Sequence, residues 1–156
     1  ENVSVMDVDI QKEYKEEIGG KRKAADMNYP LYVTSVEGSK KYIIPMVGSG
    51  LWGPIWGYVA INDDLESIYG ATFFHKSETP GLGAEISTGI FQDQFVDEKI
   101  SENGIYSKML MMKDGSGKAE AHKVDGITGG TITSKGVEEM LDRTIQVYVD
   151  YFKKLK

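Results

Sequence analysis

Apolar positions along the chain follow two different periods, which divide it into three stretches. Over the first, Val5, Val8, Tyr14 and Ile18 stand among Asp, Glu and Lys in a loosely amphipathic pattern that predicts a helix over Val3–Ile18, stopped by Gly19-Gly20. From Tyr29 to Ala71 the signals are those of strands. Leu31-Tyr32-Val33 and Lys41-Tyr42-Ile43-Ile44 are rich in strand formers and flank a hairpin turn at Glu37-Gly38-Ser39. Tyr58-Val59-Ala60-Ile61 is a short strand ended by Asn62-Asp63-Asp64, and Ile68–Phe74 is another, broken by Gly70. Gly81–Glu85 reads as a loop, and Phe91–Val96 as a helical turn with Phe91 and Phe95 on one face. Tyr106–Met112 and Ala119–Val124 read as two strands around the turn Asp114-Gly115-Ser116-Gly117. In the last stretch Val137, Met140, Leu141, Thr144, Ile145, Tyr148, Tyr151, Phe152 and Leu155 recur every three or four residues. That period predicts a long amphipathic helix from Lys135 onward, with Thr133 or Ser134 as N-cap. Glu138 and Glu139 fall in its expected first turn, and Lys153, Lys154 and Lys156 in its last. The expected fold is α+β: a central antiparallel sheet flanked by helices, with a long C-terminal helix.

Composition narrows the chemistry. A chain of 156 residues is one domain's worth, with a formal net charge of −6 that argues against a nucleic-acid partner. The absence of cysteine excludes disulfides, thiolate zinc sites and cysteine-held iron–sulfur clusters, so a redox role needs a cofactor held by other means. No apolar run approaches the roughly 20 residues that cross a bilayer. The chain as it stands is therefore expected to be soluble, with residues 1–28 as an N-terminal helical or connecting segment and 29–156 as the functional domain.

Four stretches are candidates for chemistry. Gly48, Gly50 and Gly53 fit G-x-G-x-x-G, but the following Pro54-Ile55-Trp56-Gly57-Tyr58-Val59 is β-prone, and a dinucleotide loop needs a helix there. The same stretch places Trp52 and Trp56 on a glycine-rich turn, where they serve either core packing or a wall for a planar ring. His75–Glu85 contains Pro80, Gly81 and Gly83 and forms a loop rather than regular structure, with Glu78 and Thr79 as acceptor and hydroxyl. A metal site from His75 and Glu78 is not expected, since His122 lies in a separate segment. Asp125-Gly126-Ile127-Thr128-Gly129-Gly130-Thr131-Ile132-Thr133-Ser134 combines open backbone amides and four hydroxyls at a helix start, either an anion site or an ordinary capping turn. Nucleophilic hydrolysis has no support: G-x-S-x-G is absent, and no base stands beside a candidate nucleophile.

Asp125–Ser134 resembles the flavinylation motif of the FMN-binding domain family, usually Asp-Gly-x-Ser-Gly-Ala-Thr followed by x-Thr-Ser. Thr128 stands where serine is usual and Gly130 where alanine is usual. Glu78-Thr79-Pro80-Gly81-Leu82-Gly83 resembles the family's second hallmark, a loop lining the flavin ring. Gly50–Gly57 is similar to a segment typical of the C subunit of sodium-pumping NADH:quinone reductases, and less like the G subunit of Rnf complexes. The resemblance spans roughly Tyr29 to the C-terminus.

The resemblance implies FMN esterified through its phosphate to Thr131, which is an attachment point and not a catalytic nucleophile. The attaching enzyme would be a separate flavin transferase that uses FAD and Mg²⁺. It further implies phosphate contacts from Asp125, Thr128, Gly129, Gly130, Thr133 and Ser134. Trp52, Gly53, Ile55 or Trp56 would lie against the ring, together with Glu78, Thr79, Pro80, Gly81, Leu82 and Gly83. The domain would relay electrons on the periplasmic side of the inner membrane, beside other reductase subunits, with a membrane anchor upstream of Glu1. The alternatives are an Rnf-type G subunit and a module that binds a phosphate or flavin ligand without a covalent bond.

Overall fold

The computed structural model describes residues 4–113, 115–117 and 120–156. Its centre is a four-stranded antiparallel sheet in the order β1-β2-β3-β4, formed by β1 (Tyr32–Val36), β2 (Ser39–Ser49), β3 (Pro54–Ile61) and β4 (Ile68–His75). Glu37 (φ 50°) and Gly38 (φ 82°) are both left-handed, the two-residue turn that matches the twist of a tight hairpin. Register runs from Tyr32↔Ile43 through Val47↔Trp56 to Trp56↔Phe74. Gly70 does not break β4: it pairs with Ala60 inside a continuous strand, and the irregularity falls instead between Ala60 and Ile61.

One face of the sheet is covered by α3 (Thr131–Phe152). Val137, Met140, Leu141, Ile145, Val149 and Phe152 are buried against Ile44, Met46, Ile55, Val59, Ile61 and Phe73. Fully burying side chains of this size stabilises a fold by about 1.5–3 kcal/mol each. Helix and sheet approach so closely that a side-chain carbon at Gly136 would stand 2.2 Å from the Ser49 carbonyl oxygen. Tyr148 is buried and donates its hydroxyl to the Pro30 carbonyl at 2.6 Å, and burial holds that hydroxyl above its ordinary pKa. Tyr151 and Leu155, which share the apolar period, are about half exposed at the helix end.

The helix starts earlier than its apolar pattern indicates. Gly130 is the N-cap and Thr131 the first helical residue, so Thr133 and Ser134 lie inside the first turn and neither caps it. Glu138 and Glu139 therefore fall beyond the first turn, and Lys153 onward lies past the helix end. The anticipated match of charges to the helix dipole is not present.

Smaller elements close the remaining side of the core. α1 (Ile10–Ile18) is capped by Asp9, which accepts the Lys12 amide at 2.9 Å; the cap explains why the helix begins after Val5 and Val8, which lie in or next to a 3₁₀ turn. It packs on β2 beyond the point where β1 ends, with Tyr14 under the Arg143 guanidinium at 4.4 Å. α2 (Gly89–Gln92) and a 3₁₀ turn at Asp93–Phe95 bring Phe91 and Phe95 edge-on to Phe73. β5 (Ser101–Glu102) pairs with β6 (Ile105–Tyr106).

β7 (Leu110–Met112) and β8 (Lys123–Asp125) are parallel neighbours, with Met112 opposite Asp125, and not the hairpin that the turn signal between them suggests. Gly117 donates its amide to Asp125 Oδ1 at 2.7 Å, which holds it against the end of β8. Val3, Asp114 and Ala119, included above in a helix, a turn and a strand, lie outside the described residues. No helix among the described residues is long and apolar enough to cross a membrane.

The turn after β3 is held by Asp64, whose carboxylate accepts the Glu66 and Ser67 amides at 2.8 Å and the Ser67 hydroxyl at 2.6 Å. Partial burial pushes its pKa up, but these hydrogen bonds outweigh it and hold the carboxyl below its ordinary value of 3.8. A carboxyl lowered by folding contributes stability above its unfolded pKa and loses it as pH falls through the folded value. Asp64→Asn is expected to lower stability by about 1 kcal/mol at neutral pH. The deficit should shrink steadily below pH 3.8, as followed by denaturant unfolding across that range.

Candidate functional site

Three loops meet at one end of the sheet, where β2 and β4 finish and α3 begins. The first is the β2–β3 turn, residues 50–53, closed by the Gly50 amide on the Gly53 carbonyl at 2.8 Å. β3 follows directly, so no helix opens behind these glycines and a dinucleotide-binding role has no structural basis here. The second is the loop after β4, Lys76–Leu82, which runs into a 3₁₀ turn at Gly83–Ser87. The third, residues 126–130, leads from β8 into α3.

Buried hydrogen bonds join them. Glu78 Oε1 accepts the Trp52 amide at 2.8 Å, and Oε2 accepts the Thr133 hydroxyl at 2.5 Å. The Thr133 oxygen in turn accepts the Leu51 amide at 3.4 Å, and His75 Nδ1 accepts the Glu78 amide at 3.1 Å. Glu78 is only 5 % exposed. Its carboxyl group therefore braces protein against protein rather than facing a ligand.

The third loop is braced in the same way. Ser134 donates its hydroxyl to the Gly130 carbonyl at 2.9 Å and accepts the Ile127 amide at 2.9 Å. Asp125 commits its carboxylate to the Gly117 amide, and its backbone exchanges hydrogen bonds with Gln94 at 2.8 and 3.2 Å. The hydroxyls of Thr133 and Ser134, read above as phosphate donors, are thus engaged within the protein. Thr128 and Gly129 are exposed, and Thr131 is half-buried. No side chain caps the start of α3, and its first turn carries no acidic residue of its own. The N-terminal amides are left for an outside acceptor, and the positive end of the helix faces the same space.

A cavity of about 150 Å³ opens at this point, lined by Thr131, Thr128, Gly129, Ser134, Lys113 and Lys135 among others. It is smaller than the roughly 300–1,000 Å³ of sites that engulf a whole small molecule, and suits an anionic end group. Lys113 and Lys135 escaped the sequence reading. Lys135 was within reach, because it stands one helical turn beyond Thr131 and shares its face. Lys113 was not, since only the parallel pairing of Met112 with Asp125 brings it beside Gly126.

Beside the cavity lies an apolar surface. Trp52 is 65 % exposed, Ile132 59 %, Leu51 47 % and Leu82 42 %. Leu82 rests on Gly129, where an added side-chain carbon would come within 2.6 Å of its Cδ2. Thr79 and Pro80 lie on the same loop, and the Thr79 carbonyl accepts the Leu82 and Ala84 amides at 3.1 Å. Gly81 (φ 75°) donates its amide to Glu85 at 2.9 Å. Trp56 is stacked on Phe74 with centroids 6.1 Å apart, on the sheet face away from α3. Ile55 is wholly buried in the core and supports the loops from beneath; it is not available to touch a ligand. Gly53 approaches Ser77, whose hydroxyl donates to the Trp52 carbonyl at 3.2 Å.

Comparison with known proteins agrees with this geometry. Residues 50–146 match the FMN-binding domain family, a span that contains all three loops. The chain is 31% identical over 128 residues to the C subunit of the Na(+)-translocating NADH-quinone reductase of Vibrio alginolyticus, covering 82% of this chain and 50% of the relative. The corresponding protein of Neisseria meningitidis is 37% identical over 130 residues, covering 81% and 50%. Among solved structures, the C subunit of the same reductase from Parabacteroides distasonis superposes with a TM-score of 0.81 at 42% identity, over 96% of this chain and 70% of that one. The chain spans about half the length of the curated relatives it matches.

Packing around Glu78 makes the site intolerant of added volume. A side-chain carbon at Gly83 would lie 2.2 Å from Glu78 Oε2 and 2.6 Å from Thr133 Oγ1, whereas nothing lies within 4 Å of the same position at Gly70. Gly83→Ala is expected to destabilise by about 1–3 kcal/mol in urea unfolding, the usual cost of overpacking. Gly70→Ala is expected to change stability by no more than about 0.5 kcal/mol.

Proposed function

The chain belongs to the FMN-binding domain family, alongside the C subunit of the Na(+)-translocating NADH-quinone reductase, and from that premise we propose that it is a flavin-carrying electron relay with FMN joined through its phosphate to Thr131. The observation that carries this reading is the cavity at the uncapped start of α3. It places Thr131 between the helix amides, Thr128, and the lysines 113 and 135. An anion at that position meets backbone donors, the positive end of a helix and two cationic side chains. Lys135 is shared with Glu138, 2.7 Å away, which steadies its ammonium group at the rim.

When bound, FMN supplies reversible electron transfer, and the protein supplies its placement. Leu51, Trp52, Leu82 and Ile132 form the apolar surface on which a flat ring system lies. A ring resting on this solvent-open surface would keep one side accessible to a neighbouring redox centre. The exposed Thr128–Gly129 segment leaves the approach to Thr131 open to a transferase, while Gly130 is buried, and a side-chain carbon there would meet Ile127 at 2.9 Å and the Gly83 amide nitrogen at 3.2 Å.

We place the flavin in the region 29–156, working on the periplasmic side of a membrane-bound reductase beside its other subunits, and loaded by a separate flavin transferase. NADH oxidation and sodium movement belong to the assembled complex.

Denaturing mass spectrometry after co-expression with a flavin transferase tests the linkage. The expected outcome is a gain of one FMN phosphoester that is absent in Thr131→Ala and present in Thr131→Ser. A flavin that co-purifies but leaves on denaturation would replace this reading with noncovalent binding. Replacing Lys113 and Lys135 together by Met is expected to reduce the modified fraction, with Thr131 still the site.

A further inference from the structure

Two carboxylates are buried among the described residues, Glu13 and Glu78. Glu13 has a cation near it, Arg22 at 3.6 Å. Among the described residues no ion pair includes Glu78. A buried acid with no cation is retained only if hydrogen bonds satisfy it, and here both oxygens are satisfied by groups from other loops. The Thr133 oxygen accepts from Leu51, which directs its own hydrogen to Glu78 Oε2, while Trp52 donates its amide to Oε1. Glu78 itself is held by its amide on His75 at the end of β4. Gly50 and Gly83 close around the carboxylate so tightly that a side chain at either would strike it.

We propose that Glu78 is a positioning residue which touches no ligand and locks the Trp52 turn to the first turn of α3. The ring-side surface and the attachment residue, Thr131, are then parts of one rigid unit. This assignment departs from the sequence expectation that Glu78 itself lines the flavin, and it rests on the reading that the flavin is carried at Thr131. Glu78→Asp falls one methylene short of spanning both donors. Glu78→Gln keeps the length, but its amide hydrogen can be received only by the Thr133 oxygen, which leaves the Thr133 hydrogen without its buried acceptor.

The chain has two tryptophans, so Trp56→Phe leaves Trp52 as the sole tryptophan, excited selectively over the tyrosines. In that background, and in unmodified protein, time-resolved anisotropy and iodide quenching report the freedom of Trp52. Glu78→Gln and Thr133→Val are each expected to abolish the slow anisotropy component of Trp52 and raise quenching. Thr133→Ser, which keeps the hydroxyl, should restore both. The double variant should be no worse than either single one, because both remove the same link. In flavin-loaded protein, visible circular dichroism of the FMN-bearing fraction should be lost in Glu78→Gln, as an immobilised ring becomes mobile. Unchanged anisotropy in both variants, or effects that add in the double variant, would overturn the proposal. If Glu78→Gln fails to fold by far-ultraviolet circular dichroism, the comparison of Thr133→Val with Thr133→Ser still decides it. Absence of any FMN mass in the wild type would sink the Thr131 reading while leaving the tryptophan measurement to judge the link.

Discussion

Where three loops meet at the end of the sheet, a backbone amide and a buried hydroxyl need an acceptor that water would otherwise supply. The Glu78 carboxylate replaces that water. It accepts from the Trp52 amide and the Thr133 hydroxyl, and it sits in a space shaped by two glycines from different loops. Much of the local sequence is then explained as accommodation of this one group. Gly50 and Gly83 are small because the carboxylate occupies the space a side chain would need, and Thr133 is a hydroxyl residue because a buried acceptor needs a donor.

The division of labour at the site follows from which hydroxyls are already engaged. Thr133 and Ser134 belong to the scaffold, with their hydrogens committed to Glu78 and to the Gly130 carbonyl. Thr131 and Thr128 remain on the cavity side, together with two lysines that arrive from the end of β7 and from α3. A motif dense in hydroxyls thus separates into an inner pair that builds the turn and an outer pair that faces a ligand. Thr128 stands in the loop before the helix and Thr131 begins it, whereas Thr133 and Ser134 lie within its first turn, Ser134 also reaching the cavity wall.

Much of this was legible in the chain, and what was missed has physical causes. The sheet, its hairpin and the long helix follow from local periodicity and turn chemistry, which adjacent residues encode. The resemblance of Asp125–Ser134 and Glu78–Gly83 to family motifs also pointed to two of the three loops that meet at the end of the sheet. Residue roles fared less well. Ile55 sits in an alternating strand, and only the register shows that it faces the core. Glu78 entered the expected ring contacts through the resemblance of Glu78–Gly83 to a family motif; its partners at positions 52 and 133 are invisible to local reasoning. The parallel pairing of β7 with β8 was missed because a glycine-rich turn signal favours a hairpin, and with it went Lys113. The start of α3 was misplaced because its first turn is polar, so the apolar period begins after the helix does.

Positions 52, 78 and 133 are far apart in the chain, and the link between them has a kinetic meaning. The entropy of closing such loops grows only with the logarithm of their length, so the finished contact is sustainable despite its span. Contacts of this range nevertheless form late in folding, after the local hairpin and helices. During synthesis the Trp52 turn and the Glu78 loop emerge well before Thr133, and until it arrives neither has its brace. A partly made chain therefore lacks this brace, and the three loops come together as one surface only when α3 docks on the sheet.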